Sequence, residues 1–254
     1  MIETQDIMVP GATGEEKRKA YYYLPETYEK DPGRRYPVLY MFDGHNVFFD
    51  SHATYGKSWG MGEYLSGTGT DLIVAAIECS HSPDNGRLSE YSPWNFVLPP
   101  LVKITGRGEL TMDWIINTWK PMVDDRYRTI PDRTYTMIAG SSMGGLMSLY
   151  AVIRHNDVFG RAAALSPSVS FSCEKIQNLI RKADLDPDTV LYMDYGEEEL
   201  KTHRGMRQAL SRTVKNLMER QVLLNFRIVP GGTHCEASWE RQIPFFINTL
   251  LYER

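Results

Sequence analysis

The sequence predicts an α/β fold in which a mostly parallel β-sheet carries helices on both faces. Short apolar runs of strand length recur along the 254 residues, and patterns with helical spacing lie between them. The chain shows no internal repeat and no low-complexity linker. Strands that alternate with helices form parallel sheets, whose functional sites lie at the carboxyl ends of the strands. We therefore expect a single domain, residues 1–254, with its site at that edge.

The predicted strands are buried or half-buried runs. Residues 17–24 alternate loosely between polar and apolar side chains, as a strand with one solvated face does. A polar turn region follows at residues 26–35. The later runs are short and almost wholly apolar, which is typical of strands buried in a parallel sheet. These runs are Pro37–Phe42, Leu72–Ile77, Tyr135–Ala139, Ala162–Leu165, Val190–Met193 and Leu224–Val229.

The predicted helices repeat apolar side chains every three or four positions. Residues 109–123 carry such a stripe, which includes Trp114 and Trp119. The other helical patterns are Leu146–Arg154, His203–Arg220 and Trp239–Leu251.

Composition and charge exclude several classes of protein. The net charge of −4 gives no support for binding to nucleic acid or to an anionic membrane. No apolar run approaches the roughly 20 residues that span a bilayer, and Met1–Met8 carries acidic residues rather than the pattern of a signal peptide. Cys79, Cys173 and Cys235 are widely spaced and form no metal motif, so we expect a reducing, cytoplasmic location.

The segment Gly140-Ser141-Ser142-Met143-Gly144 lies between a predicted strand and a predicted helix. Gly-x-Ser-x-Gly in that context is the nucleophile elbow of serine hydrolases, in which small residues two positions before and after the serine relieve crowding. The spacing selects Ser142 and not Ser141, because Met143 would otherwise occupy a tight position. The N–H of Met143, at the start of the helix, is expected to face a developing oxyanion.

The remaining members of a triad should follow in the order acid and then histidine. His234 lies in a glycine-containing turn just after the last predicted strand, which favours it as the general base. The acid should follow the preceding strand, where Gly196 is succeeded by three glutamates. Spacing from Gly196 favours Glu199, and Glu197 and Glu198 are kept as alternatives.

The second oxyanion donor is expected in the loop after the Pro37–Phe42 strand. Gly44 permits close approach of the backbone, and the N–H of His45 or of Asn46 is the candidate donor. The spacing of His45 from His52 or Asp43 matches no standard metal site, so the sequence predicts no metal and no cofactor.

These pieces resemble the putative-esterase family of α/β hydrolases, which includes enterochelin-type, feruloyl and acetyl-xylan esterases and mycolyltransferases. The resemblance rests on segments 36–48, 87–93, 127–129, 140–145 and 231–234, which keep the order of the family and span nearly the whole chain. It implies the α/β-hydrolase fold, with Ser142 as nucleophile, His234 as base and an acid in the turn from Gly196 to Glu199. Many relatives carry Gln at the position of His45.

Two expectations concern the loops beside the site. Arg87 and Glu90 are expected to form a structural ion pair. The segment between Pro93 and Glu109 is unlike the corresponding part of the family, and its Trp94 and Phe96 are expected either to pack under a long loop or to form a wall for a sugar or aryl group.

The expected function is a serine carboxylesterase acting through an acyl-enzyme on a small-molecule or carbohydrate ester, such as an acylated sugar or an aryl or feruloyl ester. The alternatives are an acyltransferase with the same triad and a catalytically silent protein that binds a carbohydrate or a partner. The sequence indicates neither the substrate nor the oligomeric state.

Overall fold

A computed structural model describes residues 1–12 and 14–252. Eight strands form one sheet in the order β1-β2-β4-β3-β7-β8-β9-β10. The strands β3, β4 and β7 to β10 are mutually parallel, and β1 and β2 join antiparallel at one edge. The strands of this sheet are β1 (Ile2–Pro10), β2 (Glu15–Tyr23), β3 (Val38–Met41), β4 (Ile73–Ile77), β7 (Thr136–Ser141), β8 (Arg161–Leu165), β9 (Val190–Gly196) and β10 (Leu223–Val229), while β5 (Phe96–Leu98) and β6 (Val102–Ile104) form a separate hairpin.

Helices cover both faces of the sheet, which confirms the predicted α/β-hydrolase architecture. They are α1 (Thr27–Lys30), α2 (Met61–Thr68), α3 (Gly86–Glu90), α4 (Gly108–Trp114), α5 (Lys120–Arg126), α6 (Met143–Arg154), α7 (Cys173–Lys182), α8 (Glu197–Thr202), α9 (Arg204–Met218), α10 (Glu236–Glu240) and α11 (Ile243–Leu250). Short 3-10 helices lie at Gly44–Asn46, Arg133–Tyr135 and Val169–Ser172.

The core consists of two clusters separated by the sheet. In β3, Val38 and Tyr40 join one cluster, and Leu39 and Met41 join the other. Successive side chains of a strand point to opposite faces, so a strand buried on both sides must be apolar at every position. This explains why the central strands are continuous apolar runs in the sequence.

Three of the described strands were not predicted: β5 and β6 of the separate hairpin, and β1 of the main sheet. The strand β1 pairs antiparallel with β2 along its whole length, from Ile2 opposite Tyr23 to Pro10 opposite Glu15. It lies at the edge of the sheet and buries few side chains, Ile7 and Val9 among them. Polar residues on its solvated face dilute the apolar signal that marks the central strands.

Two predicted helices differ in detail. The segment predicted at residues 109–123 consists of α4, a π-helical turn at Ile115–Trp119, and α5. The wider turn brings residues five apart to the same side, and the rings of Trp114 and Trp119 stack with centroids 5.9 Å apart. The helix predicted at Trp239–Leu251 is two helices, α10 and α11, and Pro244 lies in the first turn of α11.

The carboxyl ends of the parallel strands bring the candidate residues to one edge. Asp43 follows β3, Ser142 follows β7, Ser166 follows β8, and Glu199 and His234 follow β9 and β10. Among the described residues, none of the helices has the length and apolar character needed to cross a bilayer.

Candidate active site

The turn between β7 and α6 holds Ser142 in a strained conformation. Its φ of 58° and ψ of −117° lie outside the regions that a residue with a side chain ordinarily adopts. The turn is secured on both sides, because the Ser142 N–H donates to the Leu165 carbonyl at 2.9 Å and its own carbonyl accepts from the Ser168 N–H at 3.0 Å. A Cβ on Gly140 would come within 2.8 Å of the Gly144 backbone, which is the crowding expected of an elbow.

The hydroxyl of Ser142 contacts a second serine. Ser142 Oγ lies 3.3 Å from Ser168 Oγ, and Ser168 is buried. Within residues 1–12 and 14–252, no hydrogen bond joins Ser142 to His234 in this conformation. Catalytic hydrogen bonds are often loose in free enzymes and tighten when the substrate binds.

His234 is held by one of the three candidate glutamates. Its Nδ1 lies 2.5 Å from Glu199 Oε2, and Glu199 is only 4% exposed. The imidazole and the Trp239 ring are nearly perpendicular, with centroids 5.0 Å apart. Since Nδ1 faces the carboxylate, Nε2 is the ring nitrogen left to accept a proton from a nucleophile.

The other oxygen of Glu199 is fixed by neighbouring groups. Glu199 Oε1 accepts from Ser166 Oγ at 2.7 Å and from the Gly196 N–H at 3.1 Å. Trp239 Nε1 in turn donates to Ser166 Oγ at 3.1 Å. Glu199 is the third residue of α8, so its side chain can reach back to the backbone that precedes the helix.

The two neighbouring glutamates point elsewhere. Glu198 pairs with Lys201 at 2.5 Å on the exposed face of α8. Glu197 Oε2 accepts from the Gly231 N–H at 3.1 Å, and about half of its side chain is exposed. Among the described residues, neither forms a hydrogen bond or an ion pair with His234, so the geometry leaves Glu199 as the candidate partner of His234.

Hydrogen bonds in the loop after β3 distinguish the two candidate oxyanion donors, His45 and Asn46. The Asn46 N–H donates to the Asp43 carbonyl at 2.8 Å, and its side-chain oxygen accepts from the Thr54 N–H at 2.9 Å. Among the described residues, the backbone N–H groups of His45 and Met143 donate no hydrogen bond. Of the two predicted candidates in this loop, His45 therefore has the available N–H. Gly44 approaches β4 so closely that a Cβ there would lie 2.9 Å from the backbone of Ala76 and Ile77.

The expected ion pair between Arg87 and Glu90 is wrong. Arg87 instead makes two hydrogen bonds of 2.7 Å to the carboxylate of Asp43, and Glu90 pairs with Arg18 at 2.5 Å. Arg87 and Glu90 lie in the single short turn of α3, and each faces a partner far away in the sequence. Asp43 has a φ of 57° and begins the loop that carries His45, so Arg87 anchors that loop.

Three carboxyl groups near the site have pKa values that differ from their ordinary values. Burial raises the pKa of Asp43, but the Arg87 guanidinium outweighs this effect, and the net pKa is lower than usual. Burial raises the pKa of Asp194 to about 7 despite hydrogen bonds from Tyr192 and Ser166. Burial also raises the pKa of Glu236, which lies near His234 and Asp43.

The segment that contains Trp94 forms the β5–β6 hairpin. The Trp94 ring is half-buried and meets Tyr150 of α6 edge to face, with centroids 5.6 Å apart. Phe96 is buried against Phe171, which is 37% exposed. Phe171 lies three residues after Ser168, so the hairpin stands beside the elbow, and Phe96 itself is a packing residue.

Most of the chain is similar to known proteins. A model of the family described as putative esterase matches residues 11–248. The uncharacterized protein YbbA of Bacillus subtilis (strain 168) is 26% identical over 247 residues, covering 92% of this chain and 91% of YbbA.

Solved structures share the fold. An IroE-like serine hydrolase from Shewanella oneidensis has a TM-score of 0.73 at 20% identity, over 98% of this chain and 79% of that one. Siderophore hydrolase EstA from Aspergillus nidulans has a TM-score of 0.71 at 20% identity, over 98% of this chain and 95% of that one.

Proposed function

The chain belongs to the putative-esterase family, and on that basis we propose that it is a serine carboxylesterase acting through an acyl-enzyme. The observation that carries the proposal is the buried carboxylate of Glu199, 2.5 Å from His234 Nδ1, at the same edge of the sheet as the strained turn of Ser142. A histidine oriented in this way accepts a proton at its other nitrogen, and a serine in such a turn presents its hydroxyl to a substrate.

In the proposed first step, Ser142 Oγ attacks the ester carbonyl while His234 Nε2 takes its proton. The hydroxyl must exchange its contact with Ser168 for one with His234 before it attacks. Glu199 holds the imidazole and stabilises its charged form, and the N–H groups of Met143 and His45 donate to the oxyanion. The alcohol then leaves with the proton from His234, and the acyl group stays on Ser142.

In the second step, water attacks the acyl-enzyme. His234 removes a proton from the water, the tetrahedral intermediate forms in the same oxyanion site, and Ser142 regains its proton as the acid departs. No further group is needed for the atoms and charges to balance.

Adjacent serines provide a matched test of the nucleophile. We expect Ser142→Ala to lose on the order of 10⁵-fold in turnover of p-nitrophenyl acetate, whereas Ser141→Ala retains activity within about tenfold. A fluorophosphonate probe should label the wild-type chain at Ser142. Near-wild-type turnover by Ser142→Ala would refute the nucleophile, and failure of the probe to label would favour a catalytically silent binding protein.

We propose a substrate whose acyl or alcohol part carries an aromatic or sugar group. Support comes from the half-buried Trp94 and the exposed face of Phe171 beside the elbow. A panel of feruloyl, acetyl-sugar and aliphatic esters, scored by kcat/KM, should rank the aliphatic esters last. Phe171→Ala should raise KM for the feruloyl esters more than for the aliphatic esters, and an equal change for both would count against this wall.

Hydrolysis and acyl transfer are distinguished by an added alcohol. We expect water to remain the main acceptor when a sugar or a simple alcohol is supplied. Transfer product forming faster than free acid would assign the same site to an acyltransferase.

A further inference from the structure

A second cluster of reactive side chains lies beyond the proposed triad, where the loop after β3 meets the end of β4. It contains His45, Cys79 and His81. One ring nitrogen of each histidine and the sulfur of Cys79 all lie within 4.8 Å of one another. His45 and Cys79 are buried, whereas His81 is exposed. The imidazole rings of His45 and His81 meet edge to face with centroids 5.2 Å apart.

The buried histidine of this cluster has an unused ring nitrogen. His45 is 6% exposed, and its Nε2 lies 3.1 Å from Thr54 Oγ1. Its Nδ1 is buried without a hydrogen-bond partner among the described residues. A buried polar atom without a partner is costly and unusual. If Nε2–H donates to Thr54, the lone pair of Nδ1 is free, which is the arrangement that outer hydrogen bonds impose on histidines that bind metals.

We propose that His45, Cys79 and His81 form a binding site for a thiophilic divalent cation, with Zn²⁺ as the best fit. Nitrogen and sulfur ligands suit Zn²⁺, and three protein ligands leave a fourth position open to solvent on the side of His81. Bonds of about 2.0–2.3 Å from the ion require the ligand atoms to approach one another within about 4 Å. The exposed side chain of His81 can make the remaining adjustment without disturbing the core.

Binding is an exchange of a proton for a metal ion. The Cys79 S–H bond loses its proton to solvent as the Zn–S bond forms, the two imidazoles bind through neutral nitrogens, and nothing is oxidised or reduced. The Cys79 thiol also lies against the Asp43 carboxylate, which the Arg87 guanidinium pairs. The ion would therefore join the loop of His45 to the end of β4. This site does not depend on the proposed esterase activity.

The test measures metal binding rather than turnover. The metal-free full-length protein is titrated with Zn²⁺ by calorimetry, and with Co²⁺ by visible and near-ultraviolet absorption. We expect one ion per chain, a thiolate-to-cobalt band, and a Tm that rises with Zn²⁺ concentration. Absence of binding at a large excess of Zn²⁺ would overturn the proposal.

Variants separate this cluster from the other thiols. His81→Ala, at an exposed position, should weaken Zn²⁺ binding at least about tenfold, and Cys79→Ser should abolish the thiolate band. Cys235→Ser and Cys173→Ser are the matched controls. Both should keep the Zn²⁺ affinity and the thiolate-to-cobalt band of the wild type, even though Cys235 is next to His234 of the proposed triad. Loss of the thiolate-to-cobalt band in Cys235→Ser would contradict the assignment, and so would an unchanged Zn²⁺ affinity in His81→Ala. If Cys79→Ser does not fold, the Zn²⁺ affinity of His81→Ala still decides the question.

Discussion

The carboxylate of Glu199 lies 2.5 Å from Nδ1 of His234 although the two residues are 35 positions apart. Three segments cooperate in this contact. Gly196 donates to Glu199 from the end of β9, Ser166 donates from the end of β8, and Trp239 of α10 donates to Ser166 while its ring contacts the imidazole. The orientation of His234 is therefore fixed by groups at the edge of the sheet and by Trp239 in the helix that follows its loop.

Replacement of the buried glutamate tests this contact directly. We expect Glu199→Gln to lower kcat by roughly 10³–10⁴-fold, because a neutral amide can neither fix the required tautomer nor stabilise the imidazolium. Glu198→Gln is the matched control on the exposed face of α8 and should retain wild-type kinetics. Steady-state kinetics with p-nitrophenyl acetate provides the measurement. Equal losses in both variants would contradict the assignment of Glu199 as the triad acid.

The ion pair between Arg87 and Asp43 should contribute to stability as well as to the shape of the loop. Asp43 is buried, and Arg87 is 30% exposed. Arg87→Met leaves the carboxylate buried without its partner, and we expect the free energy of unfolding in urea to fall by about 3 kcal/mol. The double variant with Asp43→Asn should recover part of that loss, since no charge is then left buried.

An exposed pair provides the comparison for Arg87. Arg212 and Glu174 lie 2.6 Å apart with about half or more of each side chain exposed. Exposed pairs stabilise proteins weakly, so Arg212→Met should leave the urea midpoint close to that of the wild type. If Arg87→Met and Arg212→Met lose equal amounts of stability, the prediction that the buried Arg87–Asp43 pair matters more than an exposed pair is wrong.

The glycine at position 44 should be required for activity rather than for folding. A methyl group there would lie 2.9 Å from the backbone of Ala76 and Ile77, so the loop that carries the His45 N–H must move. We expect Gly44→Ala to lower kcat by about 10²-fold or more with a smaller change in KM, as the loss of one oxyanion donor does. Circular dichroism should show an intact fold.

The matched glycine for this experiment is Gly67 of α2. A Cβ at Gly67 would meet nothing within 4 Å. Gly67→Ala should therefore keep its activity and gain about 0.5–1 kcal/mol of stability, as a helical alanine usually does. A Gly44→Ala enzyme that matches Gly67→Ala in kcat would exclude the loop from the oxyanion site.

Local patterns predicted much of this architecture because they express constraints of one strand or one turn. Both faces of β3 are buried, so its sequence is a continuous apolar run. The elbow requires small residues around Ser142, and that requirement is visible as spacing. Glu199 is three residues past Gly196 because a side chain at that helical position reaches back to the preceding backbone.

Contacts between distant segments could not be predicted in this way. Arg87 and Asp43 are 44 residues apart, and only the parallel order of β3 and β4 brings their loops together. Ser166 and Ser168 follow β8, where serines are common in any turn, so nothing in the sequence distinguishes them. The strand β1 could not be predicted because one of its faces is exposed to solvent, which weakens the apolar pattern. Its extended conformation is stabilised by pairing with β2, which is distant information for a local pattern.

A buried carboxyl group beside the triad makes stability depend on pH. Asp194 is 1% exposed, and burial raises its pKa to about 7 from an ordinary value of 3.8. Between these two values the folded protein binds a proton that the unfolded chain has released. The contribution of Asp194 is therefore fully present below about pH 4 and is lost as the pH rises through about 7.

Substitution of this residue should flatten the pH dependence. The free energy of unfolding of the wild type should fall between about pH 4 and pH 7, by at most about 1.4 kcal/mol per pH unit from this group. Asp194→Asn should lack that decline, although it is less stable overall because its amide cannot accept from both Tyr192 and Ser166. Asp184→Asn, at an exposed position, should parallel the wild type. Urea unfolding across this range measures all three curves, and parallel curves for Asp194→Asn and the wild type would refute the raised pKa.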